Sequence, residues 1–340
     1  MSPLPGKATA RAPANIALIK YWGAEDVDEG LPLNRSLSMT LTRCVSLCTV
    51  EAHPEEGEDE VFRADPRRGL EPADPPFAAP VLRHLERLRR WADRRARFRV
   101  ATRTGFPVGA GLASSASGFA ALTLAAVRAL GRDPESDELS VLARRSGSGS
   151  AARSCFGGYV EWPGGGGDGV DPGAPARPVF PRDHWDLRDV IALVDRSPKK
   201  VSSREGHRRA GTSPHFATRL ARLPERLGAV RRALEERDFG ALAPMVEAES
   251  VELHMIAMTS RPPIFYWSGG SVEVMEAVRT LREEGIRACF TMDAGPNVHV
   301  LCPAGDEEAV ADRLSALDAV DGVIRDRVGS GPSLVPDHLF

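Results

Sequence analysis

The chain reads as an α+β protein built from two unlike halves, and three observations predict it. Ser36 to Ala52, SLSMTLTRCVSLCTVEA, alternates apolar and polar residues in the manner of a long half-buried strand. Phe106 to Ala121, FPVGAGLASSASGFAA, runs through small residues directly into an apolar helix. Beyond about residue 186 the strands and helices follow in an order that suits an antiparallel sheet covered by helices. At 340 residues the chain is too long for one small core, and we divide it into residues 1–186 and 187–340.

Taken in order, residues 7 to 51 read as strands joined by turns, with Lys20 embedded in the apolar run of the first. Residues 52 to 77 are acidic and rich in proline and glycine, which predicts turns and a short hairpin. A helix is expected over about 78 to 95. ARFRVATRT is the strand that feeds the glycine-serine segment, and the helix after it should stop at Gly131. Residues 136 to 153 begin as a helix and pass into SGSGSAAR; CFGGYVEW reads as a strand and PGGGGDGVDPGAPARP as a loop. DVIALVD, residues 189 to 195, is a continuous apolar run and reads as a buried strand. Helical patterns fill about 214 to 258 and 271 to 284; IRACFTMDA and VHVLC are strands, DEEAVADRLSAL a helix and DGVIRDRV the last strand.

Composition excludes several functions. The net charge of −3 gives no bulk attraction for nucleic acid or an anionic membrane. A locally basic stretch, Arg83 to Arg99, carries Leu85, Leu88 and Trp91 at helical spacing and reads as a solvated amphipathic helix. The five cysteines form no CxxC pair and no zinc spacing, and Cys44 and Cys48 share one face of a strand as packing residues. An odd count without a disulfide framework suits a reducing cytoplasm. No signal core or membrane span is expected, because Arg128 soon interrupts the longest apolar stretch.

The small-residue segment is the strongest chemical signal. Glycines let backbone N–H groups approach an anion, and the following helix aims its positive end at the same point. Serines there cap the helix or ligate a magnesium ion that bridges phosphates. It is neither a Walker loop nor GxGxxG, and a ligand-free strand-to-helix turn is the bland alternative. Four further clusters stand out. Asn15 to Asp26, NIALIKYWGAED, buries Lys20, which then needs a carboxylate or a phosphate as partner. Ser146 to Arg153 exposes hydroxyls and ends on a guanidinium fork suited to a carboxylate or phosphate. Val201 to Ser213, VSSREGHRRAGTS, joins hydroxyls to three arginines, with a solvated loop as its plain reading. FTMDAGPN, Phe290 to Asn297, places Asp293 at a strand end, a common position both for a base and for a turn residue. Together they make a parts list for phosphoryl transfer, which depends on positioning and charge neutralisation.

The same residues resemble the GHMP kinase superfamily, and within it the mevalonate diphosphate decarboxylases. APANIALIKYWG, LPLNRSLSMTL, GLASSASGFAAL, SGSGSAARSCFGGYVEW, VSSREG, PPIFYW and FTMDAGPN carry the resemblance, in family order. It implies a GHMP kinase fold: an N-terminal ribosomal-protein-S5-like ATP-binding domain and a C-terminal ferredoxin-like α/β sandwich. It implies ATP-dependent decarboxylation of mevalonate 5-diphosphate to isopentenyl diphosphate, carbon dioxide, ADP and phosphate, with ATP and Mg2+ as cofactors. By likeness Asp293 sits by the tertiary 3-hydroxyl, Lys20 holds charge beside it and Arg153 clamps the substrate carboxylate. Tyr21, Ser148, Ser150, Ser203 and Arg204 contact the substrate. Gly109, Ala110, Gly111, Leu112, Ala113, Ser114 and Ser115 form the ATP cradle, with Ser114 or Ser115 near magnesium.

The chain departs from the family pattern at Ala24 and Glu25, where relatives commonly have a lysine and then an arginine after KYWG. The same chemistry on mevalonate 5-phosphate is therefore kept as an alternative, with Arg35, Arg204, Arg208 or Arg209 as substitutes for the missing cation. A nucleotide or metabolite sensor and a plain small-molecule kinase rank below both, since Lys20, Asp293 and Arg153 are all present. His207 replaces a usual apolar residue and has no role in this reading; His254 is read as structural. A homodimer is expected only because it is the commonest closed assembly.

Overall fold

The computed structural model describes residues 6–54, 57–107, 114–164, 171, 173–197 and 199–340. The first half opens with β1 (Gly6–Ile19), a small ribbon of β2 (Ala24–Asp26) and β3 (Leu31–Pro32), and the long β4 (Ser36–His53). A hairpin of β5 (Glu60–Asp65) and β6 (Gly69–Pro72) leads through α1 (Pro75–Ala92) to β7 (Arg97–Thr104). Then come α2 (Ser114–Ala129), α3 (Ser136–Arg144), a 3-10 turn over Gly149–Cys155, β8 (Tyr159–Trp162) and β9 (Arg177–Phe180). The second half holds β10 (Leu187–Leu193), α4 (Ser203–Arg209), α5 (Phe216–Glu236), α6 (Phe239–Thr259), α7 (Gly269–Glu283), β11 (Cys289–Thr291), β12 (Val298–Pro303), α8 (Glu307–Ser315), β13 (Gly322–Arg327) and β14 (Ser333–Val335).

Among the described residues the first sheet runs β14-β1-β4-β7-β5-β6, with β8 paired to β4 and β9 to β8, and β5 lies parallel to β7. The second is antiparallel, in the order β11-β12-β10-β13. Both sheets and their helices match the expected α+β architecture. One hydrophobic core fills the first half around Val50, Leu85, Leu88 and Val100. A second core spans both halves: Ile16, Leu18 and Leu37 meet Leu223, Leu227 and Leu242 of α5 and α6. β14 returns to pair with β1, Thr9 opposite Val335.

Several elements differ from the pattern reading, each for a local reason. The first helix begins three residues earlier than expected, because Asp74 accepts from the Phe77 N–H and prolines occupy its first positions. The 214–258 pattern is two helices, divided where Arg237 takes a left-handed conformation at φ 58° and Asp238 caps the second. The VSSREG segment is helical rather than loop: Ser202 accepts from the Glu205 N–H and starts α4. CFGGYVEW yields a strand only from Tyr159, since Gly158 sits at φ 82°. Cys44 and Cys48 are both buried, as expected of packing residues, and all five cysteines are free.

Candidate active site

A cavity of about 620 Å3 lies where the end of β1, the first turns of α2 and α4, the Ser146–Arg153 segment and the loop after β11 converge. It contains Lys20, Tyr21, Ser114, Ser115, Ser148, Ser150, Arg153, Ser203, Arg204 and Asp293, which the sequence scatters over more than 270 positions. A larger, open groove of about 830 Å3 beside the end of α1 holds none of these. Its lining mixes charges of both signs, Arg89 being held on Asp59 at 2.9 Å, and it reads as a solvated surface.

Lys20 is 1% exposed and donates from Nζ to Asp293 Oδ1 at 2.8 Å and to the Ala17 carbonyl at 2.7 Å. Its backbone is fixed as firmly as its side chain. The Lys20 N–H donates to Glu249 Oε1 at 3.0 Å, while its carbonyl accepts from Asn34 Nδ2 at 2.9 Å and Arg219 Nη2 at 3.0 Å. Glu249 and Arg219 are themselves fully buried and bonded at 2.5 Å, with Arg226 on the other carboxylate oxygen at 2.5 Å. Burial lowers the Lys20 pKa, and the Asp293 carboxylate beside it resists that shift. Burial alone would raise Asp293, but the Lys20 ammonium, with help from His299 and Arg153, outweighs it and holds the carboxyl below the usual range. Each charge of the pair thus opposes the neutralising effect of burial on the other.

Arg153 is 2% exposed, yet its guanidinium is held by uncharged acceptors: Asn15 Oδ1 at 3.3 Å, Ser38 Oγ at 3.0 Å and Ser36 Oγ at 2.5 Å. Among the described residues no carboxylate lies within ion-pair distance. Burial pulls its pKa down to about 10, and Asp293 counters this, so it stays charged. Asn15 is braced in turn by donating to Ser154 Oγ at 2.8 Å. A buried cation oriented by neutral groups is a prepared seat for an anion.

The chain packs tightly around these groups. A Cβ at Gly149 would stand 2.8 Å from the Tyr21 ring and 2.9 Å from Trp162, so only glycine lets this segment approach. At the mouth, Ser148 Oγ donates to Ser115 Oγ at 3.2 Å, tying the serine segment to the first turn of α2. The expected cradle residues Gly109, Ala110, Gly111, Leu112 and Ala113 lie outside the described residues. Serine hydroxyls are oxygen ligands of the kind magnesium takes, but no group of three His, Cys, Asp or Glu that could hold a metal occurs among the described residues. The donor set fits a magnesium carried on nucleotide phosphates better than an all-protein cage.

Two family models match consecutive parts of the chain: the diphosphomevalonate decarboxylase-like N-terminal domain over residues 12–171 and the mevalonate 5-diphosphate decarboxylase C-terminal domain over 190–325. A diphosphomevalonate decarboxylase of Candida albicans is 32% identical, across 98% of this chain and 99% of its own length. The chain belongs to the diphosphomevalonate decarboxylase family. The human diphosphomevalonate decarboxylase is 36% identical over 85% of this chain and 76% of its own length. A solved structure described as MDDEF in complex with MVAPP, AMPPCP and magnesium superposes with a TM-score of 0.88 at 36% identity, covering 97% of this chain and 99% of that one. The mevalonate diphosphate decarboxylase from Staphylococcus aureus gives 0.88 at 31%, covering 98% of each chain.

For this decarboxylase-family chain, the sequence reading missed Lys199. Its ammonium lines the same cavity, donates to Ser203 Oγ at 2.7 Å and to the Ala294 carbonyl at 2.6 Å, and burial lowers its pKa to about 8. The signal was present: two consecutive lysines stand just after the buried strand and before VSSREG. Arg83 of α1 also lines the cavity. The proposed substitutes for a cation at position 24 separate clearly. Arg35 is bonded to the buried carboxylate of Glu161 at 2.5 Å and Arg209 to Glu205 at 2.7 Å, both off the cavity. Arg208 is half exposed beside Asp28 and Glu205, also off the cavity. Arg204 alone of the four lines it, paired with Asp28 of the β2–β3 turn.

Proposed function

We propose that the protein catalyses the ATP-dependent decarboxylation of mevalonate 5-diphosphate, releasing isopentenyl diphosphate, carbon dioxide, ADP and phosphate. The observation that carries this reading is the grouping, in one cavity, of the ion-paired Lys20 and Asp293 with a buried Arg153 that has no anionic partner among the described residues. Relatives described as binding MVAPP, AMPPCP and magnesium support it.

In this reading the 3-hydroxyl donates to Asp293. Its oxygen attacks the terminal phosphorus of ATP; the new O–P bond forms as the bond to the bridging oxygen breaks and ADP leaves. The hydroxyl proton passes to the carboxylate. A carboxylate held strongly ionised is a weak base, which suffices because phosphoryl transfer through a loose transition state asks mainly for alignment and charge neutralisation. Lys20 keeps Asp293 ionised and in place; Lys199, Ser114, Ser115 and Arg83 face the transferring phosphate. Magnesium, when bound, supplies charge neutralisation on the nucleotide phosphates. Breaking the C3–O bond then expels phosphate, the C–CO2 bonding pair becomes the new double bond, and carbon dioxide departs. Arg153 holds the carboxylate in line for that loss. Ser148, Ser150, Tyr21, Ser203 and Arg204 would surround the rest of the substrate.

The alternative substrate, mevalonate 5-phosphate, is favoured by Ala24 and Glu25 and by the cavity cation Arg204 being shared with Asp28. Incubating the pure protein with ATP, magnesium and each substrate separates the readings. Carbon dioxide and ADP from the diphosphate are expected; release from neither compound defeats the assignment, and a strong preference for the monophosphate moves it.

The same reading divides the chain at residues 186 and 187. It is supported by the second sheet starting at Leu187, although β14 rejoins the first sheet. No helix among the described residues is long and apolar enough to cross a membrane. A cytoplasmic homodimer completes the proposal; five buried free thiols suit a reducing compartment, and light scattering on the eluting protein tests the assembly.

A further inference from the structure

His207 is the cavity residue that the reaction above leaves without work. It lies on α4 one turn after Ser203 and Arg204, and all three line the cavity. Its Nδ1 accepts a hydrogen bond from the Gly23 N–H at 3.1 Å. An amide can only donate, so Nδ1 is the acceptor and the ring proton sits on Nε2. The ring is wedged in place: its centroid is 4.1 Å from that of Tyr21 and 4.9 Å from that of Trp22. Among the described residues Nε2 has no hydrogen-bond partner in the protein. Burial, with Lys199, Arg219 and Arg153 nearby, pulls the ring pKa down to about 3, so it stays neutral wherever the protein is folded and working. Nothing here resembles a packing histidine such as His84, which is sealed in the core with its Nε2 against Thr123 at 2.8 Å.

We propose that His207 is a specificity-determining residue whose Nε2–H donates to an oxygen of the substrate's 5-phosphate tail, alongside the Arg204 guanidinium. The inference rests on the decarboxylase reading and sharpens it. A neutral donor of fixed tautomer tightens binding of a phosphate oxygen without adding a charge that acidic groups of the β2–β3 turn would claim, as Asp28 claims Arg204. It also stands on the Gly23 amide, immediately before Ala24, so the donor reaches the cavity where residue 24 itself offers only a methyl group.

The test compares the wild type with His207→Met, which fills similar space without a donor, and His207→Gln, which restores an N–H. Steady-state assays with ATP and magnesium measure KM for mevalonate 5-diphosphate and for ATP separately, and calorimetry measures binding of the phosphorylated mevalonate without turnover. We expect His207→Met to raise KM for the mevalonate substrate roughly tenfold or more, to leave KM for ATP near its wild-type value, and to weaken calorimetric binding in proportion. His207→Gln should recover most of the loss. Equal substrate affinity in His207→Met, or an equal loss in Met and Gln variants, overturns the proposal. If no variant or wild type turns over but the binding difference persists, the decarboxylase reading fails and this one stands. Should His207→Met not fold, nitrogen NMR of the wild-type histidines decides: one neutral ring shifting at Nε2 with phosphorylated mevalonate and not with mevalonate supports it, and identical spectra sink it.

Discussion

The two ends of the cavity are built to different standards. At the Lys20–Asp293–Arg153 end both cations are buried and braced, and the partly exposed Asp293 is held by Lys20. Lys20 is pinned through both backbone atoms by the Glu249–Arg219 pair, and Arg153 is held by three neutral acceptors. At the Arg204 end the charged groups are partly exposed. Arg204 and Asp28 are 29% and 63% exposed, and Arg208 shares the same carboxylate at 3.8 Å. Rigidity is thus concentrated where bonds would be made and broken, and solvated, exchangeable charge where a phosphate tail would be gripped. A misplacement costs far more at the first end than at the second.

The contrast can be broken most severely at Asp293. Asp293→Asn is expected to cut kcat by roughly 1000-fold or more while nucleotide binding, followed by fluorescence titration, persists; near-normal turnover would remove the residue from the chemistry. Arg153→Lys comes next, with a loss on the order of 100-fold in kcat, because a point charge cannot replace a fork held by three acceptors. Glu249→Gln attacks the brace. It leaves the fully buried Arg219 against a neutral amide, while Arg226 keeps Glu252, and should cost about 3–5 kcal/mol of stability in a denaturant titration, with kcat falling as Lys20 loses its anchor. A smaller effect concerns Lys199, whose pKa of about 8 means that it is charged below that pH and neutral above it. The rate should therefore decline as pH rises through about 8, and Lys199→Arg should shift that decline upward; a profile unchanged by the substitution would detach Lys199 from the phosphate. Least is expected of Asp28→Asn. An exposed pair is worth less than about 1 kcal/mol, so freeing Arg204 should lower KM for the diphosphate by a factor of about five at most.

The sequence carried the reactive end well. Lys20 in an apolar run had to find an opposite charge, and Asp293 at a strand end was available to meet it. The serine-glycine spacing and the fork at Arg153 likewise announced a backbone that comes close to something anionic. What it concealed were contacts made at long range. Glu249 and Arg219 look like ordinary helix residues until α5 and α6 fold over the end of β1 and seal them against the Lys20 backbone. Lys199 was hidden in a loop whose helix, α4, was started by a serine cap that composition alone does not distinguish from a turn. The roles of four loosely ranked arginines were likewise undecidable, because which of them meets a carboxylate elsewhere depends on the packed structure.

The return of β14 to the outer edge of β1 has a bearing on how the molecule is made. The first sheet lacks its flanking strand until residues 333–335 have been synthesised, and the core formed by Ile16, Leu18 and Leu37 has no cover until Leu223, Leu227 and Leu242 arrive. A nascent chain arrested at residue 186 would therefore display both an open strand edge and a greasy face. The two halves mature together, and a ribosome-bound intermediate of this length is the stage at which chaperone protection would matter most.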